Sequence, residues 1–443
     1  MKILKHILGK KARMYHIYTD STPGYANGSA GIEFFNGNIV MIIRMSTCIP
    51  VGGVPHFDFR FYNHITPHMN CSVCKIGKIS LDKFGKDNLI KIKTNVIDGI
   101  LPNSDKNPFR GYEDPRLITW DGELYTYGTQ FTDNYNVAQG IMCYKLNENL
   151  TKATEISEIP GAWKFYGNEY MCTEKNWMAI PDQKKNFVYA LVRKDEDIVP
   201  IKYSDLSDHG ARFGGITPGQ ISFRGSTPLI KYKNGYICIV HNSVRNSSGE
   251  LDYSHNLCFI DKNFNIAKIT QDFRFEQSGI EFSIGWCEDN KKNLYISYST
   301  TDGTTNVIVT TMKDLISVIM NDKEYGEIKD DSRTIADKLY ITNPIDAAQY
   351  YWKDWIQSGN KDSLYSHYAI LLHYLDRYLL PDTLKGLESD NSIDAMVLKI
   401  YHHRRVSRDF NIFYDMLRSL PENWKKLIQN KCIKDFNFEK LII

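Results

Sequence analysis

Between residues 25 and 318 the apolar residues fall in short runs separated by tight turns, and the pattern recurs five times. The turns read Asn36-Gly37, Asp121-Gly122, Lys185-Asn186, Asn234-Gly235 and Lys292-Asn293. Asn-Gly and Asp-Gly are strong hairpin signals because a type I′ turn needs positive φ at both central residues, and Lys-Asn is a weaker form of the same chemistry. Each turn opens onto an apolar strand such as Asn38-Ile39-Val40-Met41-Ile42-Ile43 or Tyr236-Ile237-Cys238-Ile239-Val240. Third strands are expected at Ile141–Tyr144, Asn256–Ile260 and Asn306–Val309. Successive units start roughly 50–85 residues apart, the spacing of propeller blades that carry loop insertions. The expected fold is mainly β: a five-bladed β-propeller over residues 25–320, after an N-terminal segment 1–24.

The period changes further on. Met312–Ile319 reads as a short helix closing the propeller, and a polar joint follows over 321–333. Helical spacing then predicts a small α-helical domain over 333–443. Its first helix is expected at Pro344–Gln357, with Ala347, Tyr350, Tyr351 and Trp355 buried, and a second starts near Ser363. Others are expected near Ile393–Arg404 and Asp409–Ser419, with Pro421 opening a last one. No catalytic cluster is visible in this tail, which suits docking, bracing or a homo-oligomer contact.

Composition narrows the function. The 54 Lys and Arg against 52 Asp and Glu give a net charge of +2, which does not point to nucleic acid. No run approaches the 18 apolar residues of a transmembrane helix. Met1–Lys11 is too short of apolar length for a secretory signal; it is either a solvated terminus or a basic amphipathic helix for peripheral contact with an anionic membrane. Nine cysteines without framework spacing fit a reducing compartment, so the expected location is cytoplasmic. The stretch Cys48, His56, His64, His68, Cys71 and Cys74 contains one knuckle-spaced pair and no second, so no metal site is expected. Gly214-Gly215 has neither Rossmann nor phosphate-loop spacing.

The chemistry gathers before the turns. In a propeller the first strand of each blade lines the central channel, so Gly111-Tyr112-Glu113-Asp114-Pro115-Arg116, Glu174-Lys175-Asn176-Trp177, Arg224-Gly225-Ser226-Thr227-Pro228 and Gly279-Ile280-Glu281-Phe282 would converge. Asp114 is the candidate acid: a carboxylic acid beside a sugar can protonate a departing glycosidic oxygen. The plainer alternative is an ion pair of Asp114 or Glu113 with Arg116. Arg44, Arg116, Lys175, Arg224, His241 and His255 form a set of cations suited to an anionic ligand. Glu281 and Asp302 are candidates for sugar hydroxyls or for a base, against the alternative of solvated loop acids.

The run Gly111-Tyr112-Glu113-Asp114-Pro115-Arg116-Leu117 resembles the Glu-Asp-Pro-Arg signature of the five-bladed propeller enzymes of glycoside hydrolase family 130. These are β-mannoside phosphorylases, some hydrolases, and related β-1,2-mannosyltransferases. Ile42-Ile43-Arg44, Glu174-Lys175-Asn176-Trp177, Arg224-Gly225-Ser226-Thr227-Pro228 with Val240-His241, Tyr253-Ser254-His255, Gly279-Ile280-Glu281-Phe282 and Ser299-Thr300-Thr301-Asp302 follow in the same order. The wording is closest to a less characterised, glycosyltransferase-like bacterial branch. The chain departs from the family at Ser29-Ala30-Gly31-Ile32-Glu33, where Asn-Pro is usual, and at Glu281, where a small residue is common. The resemblance implies Asp114 as the catalytic acid, with Arg44, Arg116, Lys175, Arg224, His241 and Tyr253 holding phosphate or sugar oxygens.

The functional expectation is an inverting glycosyltransferase that moves a hexosyl unit, β-mannosyl by the resemblance, from an activated donor to a glycan acceptor. Its substrate-binding set would be Arg44, Glu113, Arg116, Lys175, Asn176, Arg224, His241, Tyr253, His255, Glu281 and Asp302 around Asp114. The alternatives are a β-mannoside phosphorylase, a hydrolase using Glu281 or Glu174 as a second carboxylate, and a non-catalytic glycan-binding propeller. No cofactor is expected; a sugar nucleotide or phosphate would enter as co-substrate.

Overall fold

The computed structural model describes residues 2–20, 26–46, 50–51, 54–55, 72–85, 87–98, 100, 112–131, 139–159, 176–194, 197–202, 221–245, 251–276, 279–300, 303–321, 323–326, 332–340, 342–375 and 399. It is mainly β, and the chain divides into two compact units at about residue 330.

The first unit is built from hairpins. Arg13–Tyr18 (β1) is the earliest long strand. Ala26–Phe35 (β2), Asn38–Ser46 (β3), Ser72–Ser80 (β4) and Thr94–Val96 (β5) form an antiparallel four-stranded sheet in that order. Tyr112–Trp120 (β6), Glu123–Phe131 (β7), Gln139–Leu146 (β8) and Ala153–Ile159 (β9) form a second. Both open on the expected turns: φ is +48° and +76° at Asn36-Gly37, and +52° and +76° at Asp121-Gly122. That double positive φ is the type I′ geometry that matches strand twist.

Met178–Ala179 (β10), Phe187–Lys194 (β11) and Asp197–Lys202 (β12) follow. They share a ten-stranded sheet with Ile221–Gly225 (β13), Ile230–Tyr232 (β14), Gly235–Arg245 (β15), Leu251–Asp261 (β16) and Ile266–Ile269 (β17). The join is narrow: β11 meets β13 at Leu191–Phe223 and Val192–Ile221. The turn between β14 and β15 sits one residue earlier than the sequence indicated. Lys233 takes the positive φ of 51°, and Gly235 is already the first strand residue. A Cβ on Gly235 would lie 2.1 Å from the Ile260 carbonyl oxygen, so close packing is the reason for the glycine.

Glu281–Glu288 (β18), Asn293–Thr300 (β19) and Thr305–Thr311 (β20) belong to the last sheet; β1 joins it by pairing antiparallel with β20, and Leu89–Lys91 completes it by pairing parallel with β1. Residues 13–18, read from sequence as part of a separate N-terminal segment, are thus integral to the β unit. The adjoining helix Leu4–Leu8 (α1) buries Leu4, Ile7 and Leu8 in the core, so its apolar side is turned inward. Met312–Met320 (α2) follows β20 as expected, with the Thr311 side chain capping Asp314 N–H at 3.1 Å.

The apolar runs are unbroken because the middle strands are buried on both faces. On β3, Ile39, Met41 and Ile43 enter one core while Val40 and Ile42 enter another. The first core is shared with Tyr295 and Val307 of the last sheet, the second with Leu117, Met142 and Tyr144 of the second sheet. Ile118 and Cys143 then meet Trp177 and Phe187 in a third core, and Leu257 and Cys258 meet Leu294 and Ile296 in a fourth. Each sheet packs face to face on the next, and the last packs on the first. Period-two alternation along one strand feeds two cores.

In the second unit the described helices are Ser332–Leu339 (α3), Pro344–Ser358 (α4) and Lys361–Leu375 (α5). Pro344 occupies the first turn, Asn343 caps it through Asp346 N–H, and Gly359 at φ 70° ends α4. Ala347, Tyr350 and Tyr351 are buried and Trp355 half-buried. The polar joint is shorter than expected, because Ser332 and Arg333 already belong to α3. The helices expected near 393–404, 409–419 and after Pro421 lie outside the described residues. No helix among the described residues is long and apolar enough to cross a membrane.

Candidate active site

The start of β6 is irregular, and the sequence accounts for it. Pairing with β7 slips between Glu113 and Arg116, so Asp114 and Pro115 bulge from the ladder. Proline has no N–H to leave unpaired there. Asp114 adopts φ +48°, a left-handed conformation that Asp and Asn tolerate better than most side chains. Asn176, at the mouth of β10, does the same at φ +66°. Each such residue costs about 1–2 kcal/mol, and strain of this kind concentrates at functional sites.

Arg44 reaches across from β3 to both acids. Its Nη1 lies 3.2 Å from Asp114 Oδ1 and its Nη2 lies 3.2 Å from Glu113 Oε1. Glu113 and Asp114 therefore pair with Arg44 rather than Arg116. The Asp114 side chain is 12% exposed and that of Glu113 25%, so both carboxylates retain access to a ligand.

Arg116, almost wholly buried, joins strands that are remote in sequence. Its Nε donates to the Ser226 carbonyl at 2.7 Å and its Nη1 to the Asp114 carbonyl at 3.0 Å. Nη2 lies 3.5 Å from Asn176 Oδ1, and the guanidinium is 6.0 Å from the Phe282 ring. Ser226 Oγ in turn bonds His241 Nδ1 at 2.8 Å. The Tyr253 ring stacks on His241 at 5.6 Å, and Phe282 meets His241 edge-on at 5.0 Å. Consecutive contacts thus run from Asp114 through Arg116 and Ser226 to His241 and Tyr253. Two glycines permit this approach: a Cβ on Gly31 would lie 2.4 Å from the Pro115 carbonyl oxygen, and one on Gly225 would lie 2.2 Å from that of Asn176.

Arg224 is exposed and stands opposite His241 across β13 and β15, with its Nη1 3.4 Å from Ser243 Oγ. Glu281 is fully buried and accepts the N–H groups of Phe275 and Glu276, each at 2.8 Å. Its role is corrected from a substrate contact or base to a clamp on the chain entering β18. His255 is fully buried between Phe273 and Phe275, so it backs His241 instead of touching a ligand. Burial, with Arg274 adding to it, drives the His255 imidazole down to about 3. Lys175, Asp302 and Glu174 lie outside the described residues, as do Cys48, His56, His64, His68 and Cys71. Cys74 is buried, with Sγ 3.3 Å from the Tyr112 carbonyl oxygen.

The His255 shift has a measurable consequence. The unfolded chain takes up a proton below about 6.5 while the folded imidazole resists until about 3, so this group lowers stability progressively as pH falls through that window. Both ring nitrogens are also buried without hydrogen-bond partners among the described residues. His255→Leu is expected to match or exceed wild-type stability at pH 7.5 and to gain on it as pH falls to 5, measured by urea midpoints. A parallel pH dependence in the two proteins would contradict this.

Sequence reasoning gave no role to Glu33. Its carboxyl accepts from Thr119 Oγ1 at 3.4 Å and lies within electrostatic reach of Tyr127 and Cys287. Burial pushes it up to about 8, with the Thr119 hydrogen bond working against the rise. The visible signal was the position, an acid on an inner strand where the neighbouring residues are apolar.

No family model and no curated protein matches the sequence. The chain is similar to solved glycoside-active structures. One is a glycosyl hydrolase from Bacteroides ovatus, at 13% identity and TM-score 0.44, covering 65% of this chain and 85% of that one. Another is a mannose phosphorylase from Leishmania mexicana, at 9% identity and TM-score 0.43, covering 70% and 91%. A third is a GDP-Man-dependent mannosyltransferase from the same organism, at 11% identity and TM-score 0.41, covering 72% and 93%.

Proposed function

We propose that the chain is an inverting glycosyltransferase that moves a mannosyl unit from an activated donor to a glycan acceptor. Its β unit is read as five propeller blades, β10–β12 and β13–β17 counting separately, with the helical residues from 333 onward as an accessory domain. The observation that supports the reading best is the Asp114 carboxylate, paired with Arg44 at the strained mouth of β6 and linked through Arg116 to His241. A partly accessible acid beside cations and aromatic rings, where inner strands meet, fits a sugar carrying an anionic leaving group.

In the transferase direction Asp114 takes the proton of the acceptor hydroxyl. The acceptor oxygen bonds to the anomeric carbon as the bond from that carbon to the donor phosphate breaks, with inversion. Arg44 lies beside the reacting carboxylate, and Arg224 and His241 are the further cationic or hydrogen-bonding groups for the departing phosphate. In the phosphorylase direction inorganic phosphate attacks the anomeric carbon, and Asp114 supplies the proton to the leaving oxygen through a sugar hydroxyl. The hydrolase reading loses Glu281, whose two oxygens are occupied by backbone N–H groups.

Lys175 and Asp302 complete the proposed binding set. No cofactor is called for, since the sugar nucleotide or phosphate is a co-substrate. Incubation with GDP-mannose or mannose 1-phosphate and a panel of mannoside acceptors tests the assignment. Elongation with GDP-mannose alone identifies a transferase, and use of mannose 1-phosphate with phosphate release identifies a phosphorylase. Inactivity with every donor, alongside retained glycan binding, selects a non-catalytic propeller instead.

A further inference from the structure

A second cluster of cations lies at the opposite end of the last sheet from Asp114. β18 begins at Glu281 beside the site and ends eight residues later at the turn Asp289–Asn293, about 25 Å along the strand. That turn, the start of β1 and the stretch Leu81–Phe84 enclose a cleft of about 370 Å³. Lys10, Lys11, Arg13 and Lys291 line it, against one acid, Asp289. This volume falls within the range of small-molecule sites.

The cleft is supported from beneath. Phe84 packs edge-on against Tyr15 and Tyr295, each with ring centroids 5.0 Å apart, which fixes one wall. Asp289 accepts from Lys291 N–H at 2.8 Å, Asn293 N–H at 2.9 Å, Asn293 Nδ2 at 2.8 Å and Tyr295 Oη at 3.1 Å. Those bonds spend the carboxylate on shaping the turn that carries Lys291. Lys11 is partly neutralised by Asp314 at 3.7 Å. Among the described residues the side chains of Lys10, Arg13 and Lys291 have no ion-pair partner.

Three uncompensated cations from two chain segments, Lys10 and Arg13 on one and Lys291 on the other, face one cleft, and an anion placed there would be attracted to all three. The guanidinium fork of Arg13 matches two phosphate oxygens, and the ammonium groups supply point charges on either side. We propose that this cleft is a second binding site, separate from the sugar site, for a phosphate group carried by a small molecule or by a lipid headgroup. The two sources share the same recognition chemistry and differ only in what the phosphate is attached to.

Amine footprinting of the full chain tests the proposal at the residues concerned. Acetylation rates of Lys10 and Lys291, read by mass spectrometry, are compared with that of exposed Lys268. The probes are inorganic pyrophosphate, glycerol 3-phosphate, and vesicles of phosphatidylglycerol against phosphatidylcholine. A phosphate probe at ten times its dissociation constant is expected to slow Lys10 and Lys291 about tenfold, with Lys268 unchanged. Protection by the soluble probes identifies a small-molecule ligand, and protection by phosphatidylglycerol vesicles alone identifies a membrane headgroup. Arg13→Ser should abolish the protection, whereas Arg44→Ala in the sugar site should leave it intact. Absence of protection with every probe, or protection undiminished by Arg13→Ser, overturns the proposal without bearing on the function of Asp114.

Discussion

Asp114→Asn is expected to reduce turnover by at least about a hundredfold while leaving substrate binding within a few-fold of wild type. The substitution isolates the chemistry. Asparagine has the same shape, tolerates the φ of +48° found at this position, and still offers an oxygen to Arg44 at the mouth of β6. What it lacks is a carboxylate able to take or give a proton. Asp114→Ala would confound the result, since alanine disfavours that left-handed conformation and would disturb the bulge itself. Steady-state kinetics with the active donor, together with ligand titration and a melting curve, separates the effects. Full activity in the asparagine variant would remove Asp114 from the chemistry.

Arg116→Met is expected to cost about 3–5 kcal/mol of stability and to abolish activity. Two charge-assisted bonds, from Nε to the Ser226 carbonyl and from Nη1 to the Asp114 carbonyl, are worth about 1.5–3 kcal/mol each in a buried setting. Methionine keeps most of the length and apolar contact with Phe282 while removing every donor. For a unit of this size the loss corresponds to a fall in melting temperature of roughly 4–8 °C. Arg116→Lys should recover little, because one ammonium cannot satisfy carbonyls lying in two directions. An unchanged urea midpoint for Arg116→Met would show that the inner strands are held together by something else.

Much of this architecture could be read from the chain. The Asn36-Gly37 and Asp121-Gly122 turns take the expected left-handed geometry, because that chemistry is local and glycine-dependent. Pro344 and Asn343 mark the start of α4 for the same kind of reason. Asp114, Arg116 and His241 are brought together because a bulge and two glycines let their strands approach. Long-range accommodation was not legible. Glu281 looked like a free acid until the N–H groups of Phe275 and Glu276 were placed on it, and His255 looked like a ligand until two phenylalanines enclosed it. A polar residue on a core strand has the same sequence signature whether it faces a ligand or backs one that does. The one-residue shift at Lys233 likewise reflects the Ile260 carbonyl, a neighbour no local pattern reveals.

The pairing of β1 with β20 sets an order on biosynthesis. His16 bonds Asn306 across 290 residues of chain, so although one edge of the opening strand can pair early with Leu89–Lys91, its other edge has no partner until nearly the whole β unit has been translated. At about 5–20 residues per second that is an interval of roughly 15–60 s during which an apolar edge stands uncovered on the ribosome. Chaperone demand should therefore peak late, and a nascent chain cut short before Thr305 would leave that edge of its first strand unpaired and prone to aggregate.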